Sequence, residues 1–340
     1  MDEAPSPPPR PPRRAVVAAG LLAAGAAAAA GCDPLAPLEP GPGPGRLRIM
    51  VPTVAGGGYD FTARTLAVIL RETGLAPDAE VFNLPGGAGT AALARLVHES
   101  GNDRLLLQMG LGVLGGVQAT DTAVSVGQAT PLARLIDEPE AVVVQAGSPY
   151  RTFGALVGAW RRGALAPGIG SHVGGPDHLA LMLIAEAVGL VPRTLPHERF
   201  DGGGDLLAAL LSRRVDFVVS GLSEYQHAVG AGELRVLAVT GPRRVEGVDA
   251  PTLREEGVDV EMTNWRGLLA PPGLGAERRE DLVALLTRLH ASQEWRRARR
   301  ENGWSDSFLA GGRFARFLAA ESRRVDALRR RLTGEGGGNA

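Results

Sequence analysis

Residues 47–60 read LRIMVPTVAGGGYD, and this stretch sets the pattern for the rest of the chain. Its apolar run, residues 47–51, ends at Pro52, which predicts a short buried β-strand. Three glycines and Asp60 follow, and a helical pattern then continues to about residue 73, which predicts a tight loop and a helix. A strand, a glycine-rich loop and a helix in this order form the first unit of an α/β fold.

The same order recurs along the chain. Residues 80–83 (EVFN) lead into the loop PGGAG at 85–89 and a predicted helix at 90–99, and a third strand follows at 104–109. Further strands are predicted at 141–145, 215–219, 234–239 and 267–270, with a short one at Ile169. Further helices are predicted at 177–188, 206–212, 276–290 and 314–332. Because strands that alternate with helices tend to lie parallel with helices on both faces, we expect an α/β fold.

The composition narrows the class of protein. The chain has 340 residues, a formal net charge of −1 and 44% hydrophobic residues, which fits a globular chain long enough for two domains and argues against disorder. A net charge near zero argues against nucleic-acid binding, which depends on neutralising phosphates. The basic residues are all arginines, so Schiff-base and P-loop lysines are excluded. The single cysteine, Cys32, excludes intrachain disulfides and cysteine-based zinc sites.

Three glycine-rich loops follow predicted strands, at residues 53–60, 83–89 and 170–178, and each precedes a predicted helix. Ligands of open α/β sheets bind beyond the carboxyl ends of the strands. The N–H groups at a helix N-terminus attract anions, and glycine lets the backbone approach the ligand. One such loop is explained by a tight turn, but three together favour an anion-binding cleft. Asp60 is better suited to capping the following helix than to contacting an anion.

Other chemical motifs are weaker. The glycine spacing of Gly110, Gly112 and Gly115 matches a dinucleotide-binding loop, but we expect no helix after it and do not assign that function. A Ser171, His178 and Asp216 triad would suit a hydrolase or lyase, yet the spacing does not support it. His178 is more consistent with a first-turn residue that bonds to its loop, and Asp216 with a residue that supports the sheet edge. No metal site and no cofactor are expected, because no third ligand accompanies His172 and His178.

The first 45 residues differ from the rest of the chain in composition. Residues 1–31 combine Arg13 and Arg14 with an Ala/Val/Leu/Gly run and small residues before Cys32, which predicts a signal peptide of the lipoprotein type, with Cys32 as the lipidated N-terminus. An ordinary signal peptide with an incidental cysteine is the alternative. Residues 32–45 are rich in proline and glycine and are predicted to form a tether. We therefore expect an extracytoplasmic protein, anchored to the cell membrane by lipid.

Several motifs follow one another in order through the body of the chain. They are VPTVAGGGYD at 51–60, NLPGGAG at 83–89, SPY at 148–150, GSHVGGPDHLA at 170–180, VD at 215–216, LRVLAVT at 234–240, PTL at 251–253, EG at 256–257 and WRGL at 265–268. On these motifs the chain resembles the extracytoplasmic solute receptors of tripartite tricarboxylate transporters, also called the Bug family, from about residue 47 to residue 332.

The resemblance implies a two-lobed fold of the periplasmic-binding-protein type II kind, each lobe a mostly parallel sheet flanked by helices. Residues 46–140 with 263–340 would form lobe 1, and residues 141–262 would form lobe 2. The ligand would lie in the cleft between the lobes. The implied contacts are Thr53, Val54, Gly57, Gly58, Tyr59, Asp60, Gly86, Ala88, Gly89, Ser171, His172 and Gly175. The family's Pro-Tyr segment is replaced by residues 196–202, where Phe200 or Arg199 would take the place of the tyrosine.

The function implied by the resemblance is binding, without catalysis. A small organic acid would be captured outside the membrane and passed to the permease subunits of the transporter. Two alternatives remain open: a surface sensor with the same cleft and a signalling partner, and an enzyme on the same fold.

Overall fold

The computed structural model describes residues 46–120 and 122–333. The described strands are β1 (Arg48–Val51), β2 (Glu80–Asn83), β3 (Leu105–Gly110), β4 (Thr130–Gln145), β5 (Pro167–Ile169), β6 (Glu198–Arg199), β7 (Phe217–Gly221), β8 (Leu234–Val239), β9 (Thr263–Ala270) and β10 (Ser305–Ala310). The described α-helices are α1 (Gly58–Glu72), α2 (Thr90–His98), α3 (Leu111–Ala119), α4 (Phe153–Arg161), α5 (Pro176–Ala187), α6 (Gly203–Leu211), α7 (Gln226–Gly230), α8 (Ala276–Ala291), α9 (Gln293–Glu301) and α10 (Gly312–Thr333). Single 3₁₀ turns occur at Gly87–Gly89, Val126–Gln128, Pro192–Thr194 and Leu222–Glu224.

The strands join in one sheet with the order β2-β1-β3-β9-β4-β7-β5-β6, and β8 and β10 pair with β4. Strands that lead into helices pair in parallel: β1 with β2 and β3, and β5 with β6 and β7. The predicted mixed α/β class is therefore confirmed. The centre differs from a mostly parallel sheet, because β4 and β9 run antiparallel to their neighbours.

The long strand β4 changes partners part-way along its length. Up to Pro139 it pairs with β9 and β10, and from Glu140 onward it pairs with β7 and β8. Only residues 141–145 were predicted as strand, because the preceding residues include Asp137, Glu138 and two prolines. The register of β4 shifts between Pro131 and Ala133, and such bulges are where a sheet tolerates proline.

Helix α3 corrects one expectation of the sequence, since it follows β3 directly. Residues 111–116 are all buried, so the helix is apolar on every side and lacks the 3.6-residue alternation that reveals an amphipathic helix. Helix α10 was predicted from that alternation, and its residues Phe314, Leu318, Val325 and Leu332 are buried in the core. No helix in the described residues is both long enough and apolar enough to span a membrane.

Candidate ligand-binding cavity

A cavity of about 760 Å³ lies beyond the carboxyl ends of the parallel strands. It is lined by Pro52, Thr53, Val54, Gly57, Gly58, Tyr59, Pro85, Gly86, Gly87, Ala88, Gly89, Gly112, Val113, Gly170, Ser171, His172, Pro176, Asp177, Arg199, Phe200, Asp201, Gly202, Gly203, Ser220, Glu224, Asn264 and Arg266. Eleven of the thirteen predicted ligand contacts are in this set. Asp60 and Gly175 are not, and both instead organise loops at its wall.

Asp60 fixes the first loop. Its Oδ2 accepts hydrogen bonds from the Gly56 N–H at 3.0 Å and from Arg64 Nε at 2.8 Å, and its Oδ1 accepts one from Asn83 Nδ2 at 2.9 Å. Asn83 Nδ2 also donates to the Thr53 carbonyl at 3.0 Å. Although burial opposes ionisation, the hydrogen bonds from Arg64, Gly56 and Asn83 together lower the pKa of Asp60. The carboxylate thus stabilises the loop from inside and does not face a ligand. The helix N-cap is Gly57, so the cap predicted at Asp60 is wrong by one helical turn.

The second loop has an unusual backbone. Gly86, Gly87, Ala88 and Gly89 all have positive φ values, of 140°, 53°, 56° and 93°. Glycine adopts such angles without steric cost, whereas Ala88 is held in the left-handed region at some cost. Left-handed turns of this kind bring successive N–H groups onto one side and form an anion-binding concavity. The glycines of this loop are therefore required by its shape.

Five helices begin at the cavity wall, and each has a glycine at its N-cap. These residues are Gly57 for α1, Gly89 for α2, Gly110 for α3, Gly175 for α5 and Gly202 for α6. None of the five caps makes a side-chain hydrogen bond to its helix. The first N–H groups of a helix have no intrahelical acceptor, and each N-terminus carries about +0.5 charge. Their convergence makes the cavity attractive to an anion without a lysine.

Tyr59 reaches the cavity from α1. Its hydroxyl oxygen accepts a hydrogen bond from the Val113 N–H at 3.3 Å, and its ring lies 5.9 Å from the Arg266 guanidinium carbon. Burial raises the pKa of Tyr59 to about 12, so the phenol is neutral at physiological pH. Tyr59 therefore joins α1 to the start of α3 and also lines the cavity.

Arg266, on β9, is a lining residue that the sequence did not reveal as functional. It is only 2% exposed. Its Nη2 forms a close ion pair with Glu138 of β4, and its Nη1 donates to Thr62 Oγ1 at 2.7 Å. Ser223 Oγ donates to the other oxygen of Glu138 at 2.5 Å. The charge of Arg266 is therefore already balanced within the protein.

Besides the exposed Asp201, two buried acidic side chains at the cavity were not predicted as site residues. Burial, reinforced by repulsion between neighbouring carboxylates, raises the pKa of Glu224 to about 8, and burial raises that of Asp177 to about 6. The Gly170 N–H donates to Asp177 Oδ2 at 2.8 Å. Burial also raises the pKa of Glu140, which lies beneath them on β4. Asp177 lies in the 170–178 loop that the sequence indicated, but its acidic role was not predicted, and Glu224 stands in no local pattern that indicates a site.

The triad considered for an enzyme is not assembled. Ser171 Oγ accepts from the backbone N–H of His178 at 3.3 Å, and His178 Nδ1 accepts from the Gly174 N–H at 3.3 Å. Burial, with repulsion from His197 and His172, lowers the pKa of His178 to about 4. Asp216 Oδ2 accepts from the Ala166 N–H at 2.7 Å. His178 thus bonds to its own loop and Asp216 supports the sheet edge, as predicted for both.

Within residues 46–120 and 122–333, no group of three or more His, Cys, Asp or Glu side chains is placed to hold a metal ion.

Comparison with known proteins identifies the family. The family model described as "Tripartite tricarboxylate transporter family receptor" matches residues 117–333. The chain belongs to this family. Its receptors are extracytoplasmic substrate-binding components of transporters. A curated Agrobacterium vitis protein of the TAR-I ttuE-ttuC' intergenic region is 26% identical over 243 residues, which are 70% of this chain and 69% of that protein.

Two solved structures share the fold of this tricarboxylate-transporter receptor. MatC from Rhodopseudomonas palustris, with bound malate, is 21% identical with a TM-score of 0.70, over 85% of this chain and 98% of that chain. An R. palustris protein with adipate is 23% identical with a TM-score of 0.74, over 85% of this chain and 97% of that chain.

Proposed function

We propose that this receptor captures a small carboxylate in the cavity and delivers it to the membrane permease subunits of its transporter. The observation that carries the proposal is the convergence of glycine-capped helix N-termini on one cavity, where α2 and α3 begin beside a glycine loop whose cavity residues include no acidic side chain. Such N-termini bind carboxylates through backbone N–H groups and need no basic side chain. The family and the malate and adipate bound by structural relatives support the same ligand class.

The ligand contacts come from three loops and one aromatic side chain. The proposed contacts are Thr53, Val54, Gly57, Gly58, Tyr59, Gly86, Ala88, Gly89, Ser171, His172 and Phe200. Asp60 and Gly175 act indirectly, because they hold the loops in shape. Phe200 is half-buried and lines the cavity, so its ring presents an apolar wall to the ligand. The Arg214 guanidinium lies 5.0 Å from the ring centre.

Closure on the ligand is a movement of two lobes, residues 46–140 with 263–340 and residues 141–262. The change of partners along β4 between Pro139 and Glu140 supports this division. Bending there would separate the first and second loops from Ser171 without disrupting either half of the sheet. The ligand favours the closed state because only that state lets both lobes contact it.

Residues 1–31 and the tether at 32–45 lie outside the described residues. In this proposal the signal peptide is removed and Cys32 carries the lipid. A Cys32→Ser variant tests the anchor: we expect it to move from the membrane fraction to the soluble extracytoplasmic fraction. A variant that remains in the membrane fraction would contradict lipidation at Cys32.

Ligand capture is tested by thermal unfolding of the purified full chain with malate, succinate, adipate, citrate, benzoate and 1,4-butanediol. A ligand that binds only the folded state raises the free energy of unfolding by about 2.7 kcal/mol at 100 times its dissociation constant. We expect one class of acid to raise the melting temperature and the uncharged diol to have no effect.

The matched variants are Gly89→Ala and Gly74→Ala. Both glycines have positive φ, 93° and 67°, so both substitutions carry the same kind of backbone strain. A Cβ on Gly89 would lie 2.9 Å from Val113 Cγ2 at the cavity wall, whereas a Cβ on Gly74 would meet nothing within 4 Å. We expect only Gly89→Ala to weaken the acid's effect. If no acid changes the melting temperature of the folded wild-type protein, the proposed function is wrong.

A further inference from the structure

One part of the cavity is acidic. Four carboxyl side chains are near one another there: Glu138 and Glu140 on β4, Asp177 in the first turn of α5 and Glu224 after β7. Arg266 is the basic side chain that interacts with them, and it is ion-paired with Glu138. One guanidinium cannot balance four ionised carboxylates, so a further positive charge would favour ionisation of the other three.

Glu224 already occupies the position that an anion would take at two helix N-termini. A Cβ on Gly58, at the start of α1, would lie 2.8 Å from Glu224 Oε1, and the Gly58 N–H is hydrogen-bonded to the Glu224 carboxyl group. A Cβ on Gly203, at the start of α6, would lie 2.7 Å from Glu224 Cδ. Asp177 occupies the corresponding position in α5, where it accepts from the Gly170 N–H. An incoming carboxylate therefore finds a carboxyl group of the protein already in place at these three helices.

The glycine loop at residues 86–89 lies on the other side of the central strands. It follows β2, whereas Glu224 and Asp177 follow β7 and β5, and β9 and β4 lie between them in the sheet. The cavity residues around this loop, 85–89 with Gly112 and Val113, include no acidic side chain. A ligand carboxylate therefore binds at this end, where helices α2 and α3 begin.

Three buried side-chain oxygens at the cavity have no hydrogen-bond partner among the described residues: Thr53 Oγ1, Asn264 Oδ1 and Glu224 Oε2. Asn264 is 7% exposed and lines the cavity, and its Oδ1 makes no hydrogen bond in that part of the chain. Glu224 Oε2 is likewise buried without a hydrogen-bond partner there. A buried acceptor without a donor is costly, and a ligand that supplies donors removes that cost. An ammonium group supplies three donors and a positive charge, whereas a second carboxylate supplies neither.

We propose that the ligand carries an ammonium group, bound by Glu224 and Asn264, in addition to the carboxylate held by residues 86–89. The ligand class is thus an amino-bearing carboxylate. This inference rests on the proposed function and specifies its substrate.

The ionisation of the acidic groups supports the assignment. Burial and mutual repulsion keep the pKa of Glu224 at about 8 without a ligand. A bound ammonium favours the ionised form, so it lowers the pKa of Glu224 and releases a proton near pH 7. The affinity for an amino-bearing ligand therefore rises as pH increases from 6 to 8. The charged groups facing Glu224 are Asp177, Glu138, Glu140 and Arg266.

The test is calorimetric titration of the purified full chain with matched ligands. Succinate is compared with 4-aminobutanoate and L-aspartate, and adipate with 6-aminohexanoate and L-2-aminoadipate. We expect an amino-bearing ligand to bind about tenfold or more tightly than the diacid of the same length. Its titration in buffers of different ionisation enthalpy should also show proton release.

Variants locate the group that is responsible. Glu224→Gln keeps the shape of the side chain, and we expect it to remove most of the preference for the amino-bearing ligand. Glu233→Gln makes the same change at an exposed residue outside the cavity lining, so we expect it to retain the preference. The pH dependence and proton release of the wild-type protein test the idea even if Glu224→Gln does not fold.

The outcomes distinguish this inference from the proposed function. If diacids bind more tightly than every amino-bearing partner between pH 6 and 8, or if Glu224→Gln folds and keeps the preference, the ammonium site is wrong and the receptor remains. If no carboxylate of either kind binds, the proposed function is wrong and the inference falls with it.

Discussion

Gly115 is a position where α3 and the 170–178 loop approach each other closely, and Gly115→Ala probes that contact. Gly115 lies in α3, and a Cβ on it would lie 2.7 Å from the carbonyl carbon of Gly174, with the Gly174 oxygen closer still. Carbon atoms prefer a separation of about 3.5–4.0 Å, so α3 and the 170–178 loop must move apart by about 1 Å. Both sides are backbone, so no side-chain rotation relieves the clash.

The expected magnitude follows from two opposing effects. Alanine favours a helix over glycine by about 0.5–1 kcal/mol, whereas overpacking costs about 1–3 kcal/mol. Gly158→Ala in α4 is the matched control, because the nearest atom to its Cβ would be 3.8 Å away. The difference in free energy change between the two variants therefore gives the cost of the clash, which we expect to be about 1–3 kcal/mol.

Two assays show whether the cost of the clash reduces the stability of the fold or the affinity for the ligand. Urea unfolding reports the free energy of unfolding, and ligand titration reports the closed state. If α3 and the 170–178 loop separate to relieve the clash, Gly115→Ala retains its stability and its affinity for the ligand falls about 5- to 150-fold. If they cannot separate, the free energy of unfolding decreases by about 1–3 kcal/mol. A variant that matches Gly158→Ala in both stability and affinity would refute the close contact between α3 and the 170–178 loop.

Three further predictions concern the ionisable groups. Arg266→Met should lower the free energy of unfolding by about 3–5 kcal/mol in urea, because it leaves Glu138 buried without its partner; Arg254→Met, which breaks exposed ion pairs, should change it by less than about 1 kcal/mol. Asp60→Ala removes the acceptor for three hydrogen bonds, so it should cost about 1–3 kcal/mol and weaken ligand binding in the same titration; unchanged affinity would exclude the first loop from the site. The raised pKa of Glu224, about 8 against 4.5 when unfolded, means that the folded state binds more protons, so stability should fall as pH rises from 4.5 to 8. In Glu224→Gln, the urea midpoint of unfolding should change less with pH over that range than it does in the wild-type protein. An unchanged pH dependence would contradict the raised pKa.

Much of the fold follows from local patterns in the sequence. The strand β8 was predicted with its observed bounds, and α8 and α10 within two residues, since their apolar periodicity or continuous burial is visible along the chain. Several elements were not predicted: helices α3, α4, α7 and α9, strands β6 and β10, and the first part of β4. For two of them the reason is visible in the structure. Helix α3 is buried on every side, and the first part of β4 is charged and contains prolines because it crosses between partners.

The cavity also has parts that the sequence predicted and parts that it did not. The glycine loops at 53–60, 83–89 and 170–178 were predicted because each lies directly between a strand and a helix, and a helix N-terminus with glycine has a chemistry that can be read locally. Most of the residues chosen from them line the cavity. At Gly56, Gly86, Gly87, Gly89 and Gly174 the backbone has a positive φ that favours glycine, and this is a property of the loop itself.

The sequence by itself thus determined the α/β class, the glycine loops and, through its motifs, the resemblance to the receptor family. Only the tertiary structure decided the acidic part of the cavity. Arg266 and Glu138 are 128 positions apart, and Arg266 and Thr62 are 204 apart, so nothing in their neighbourhoods indicates that they meet. The charge of a carboxyl group depends on its burial and on the charges around it, and both arise only when β4, β7 and β9 bring distant residues together.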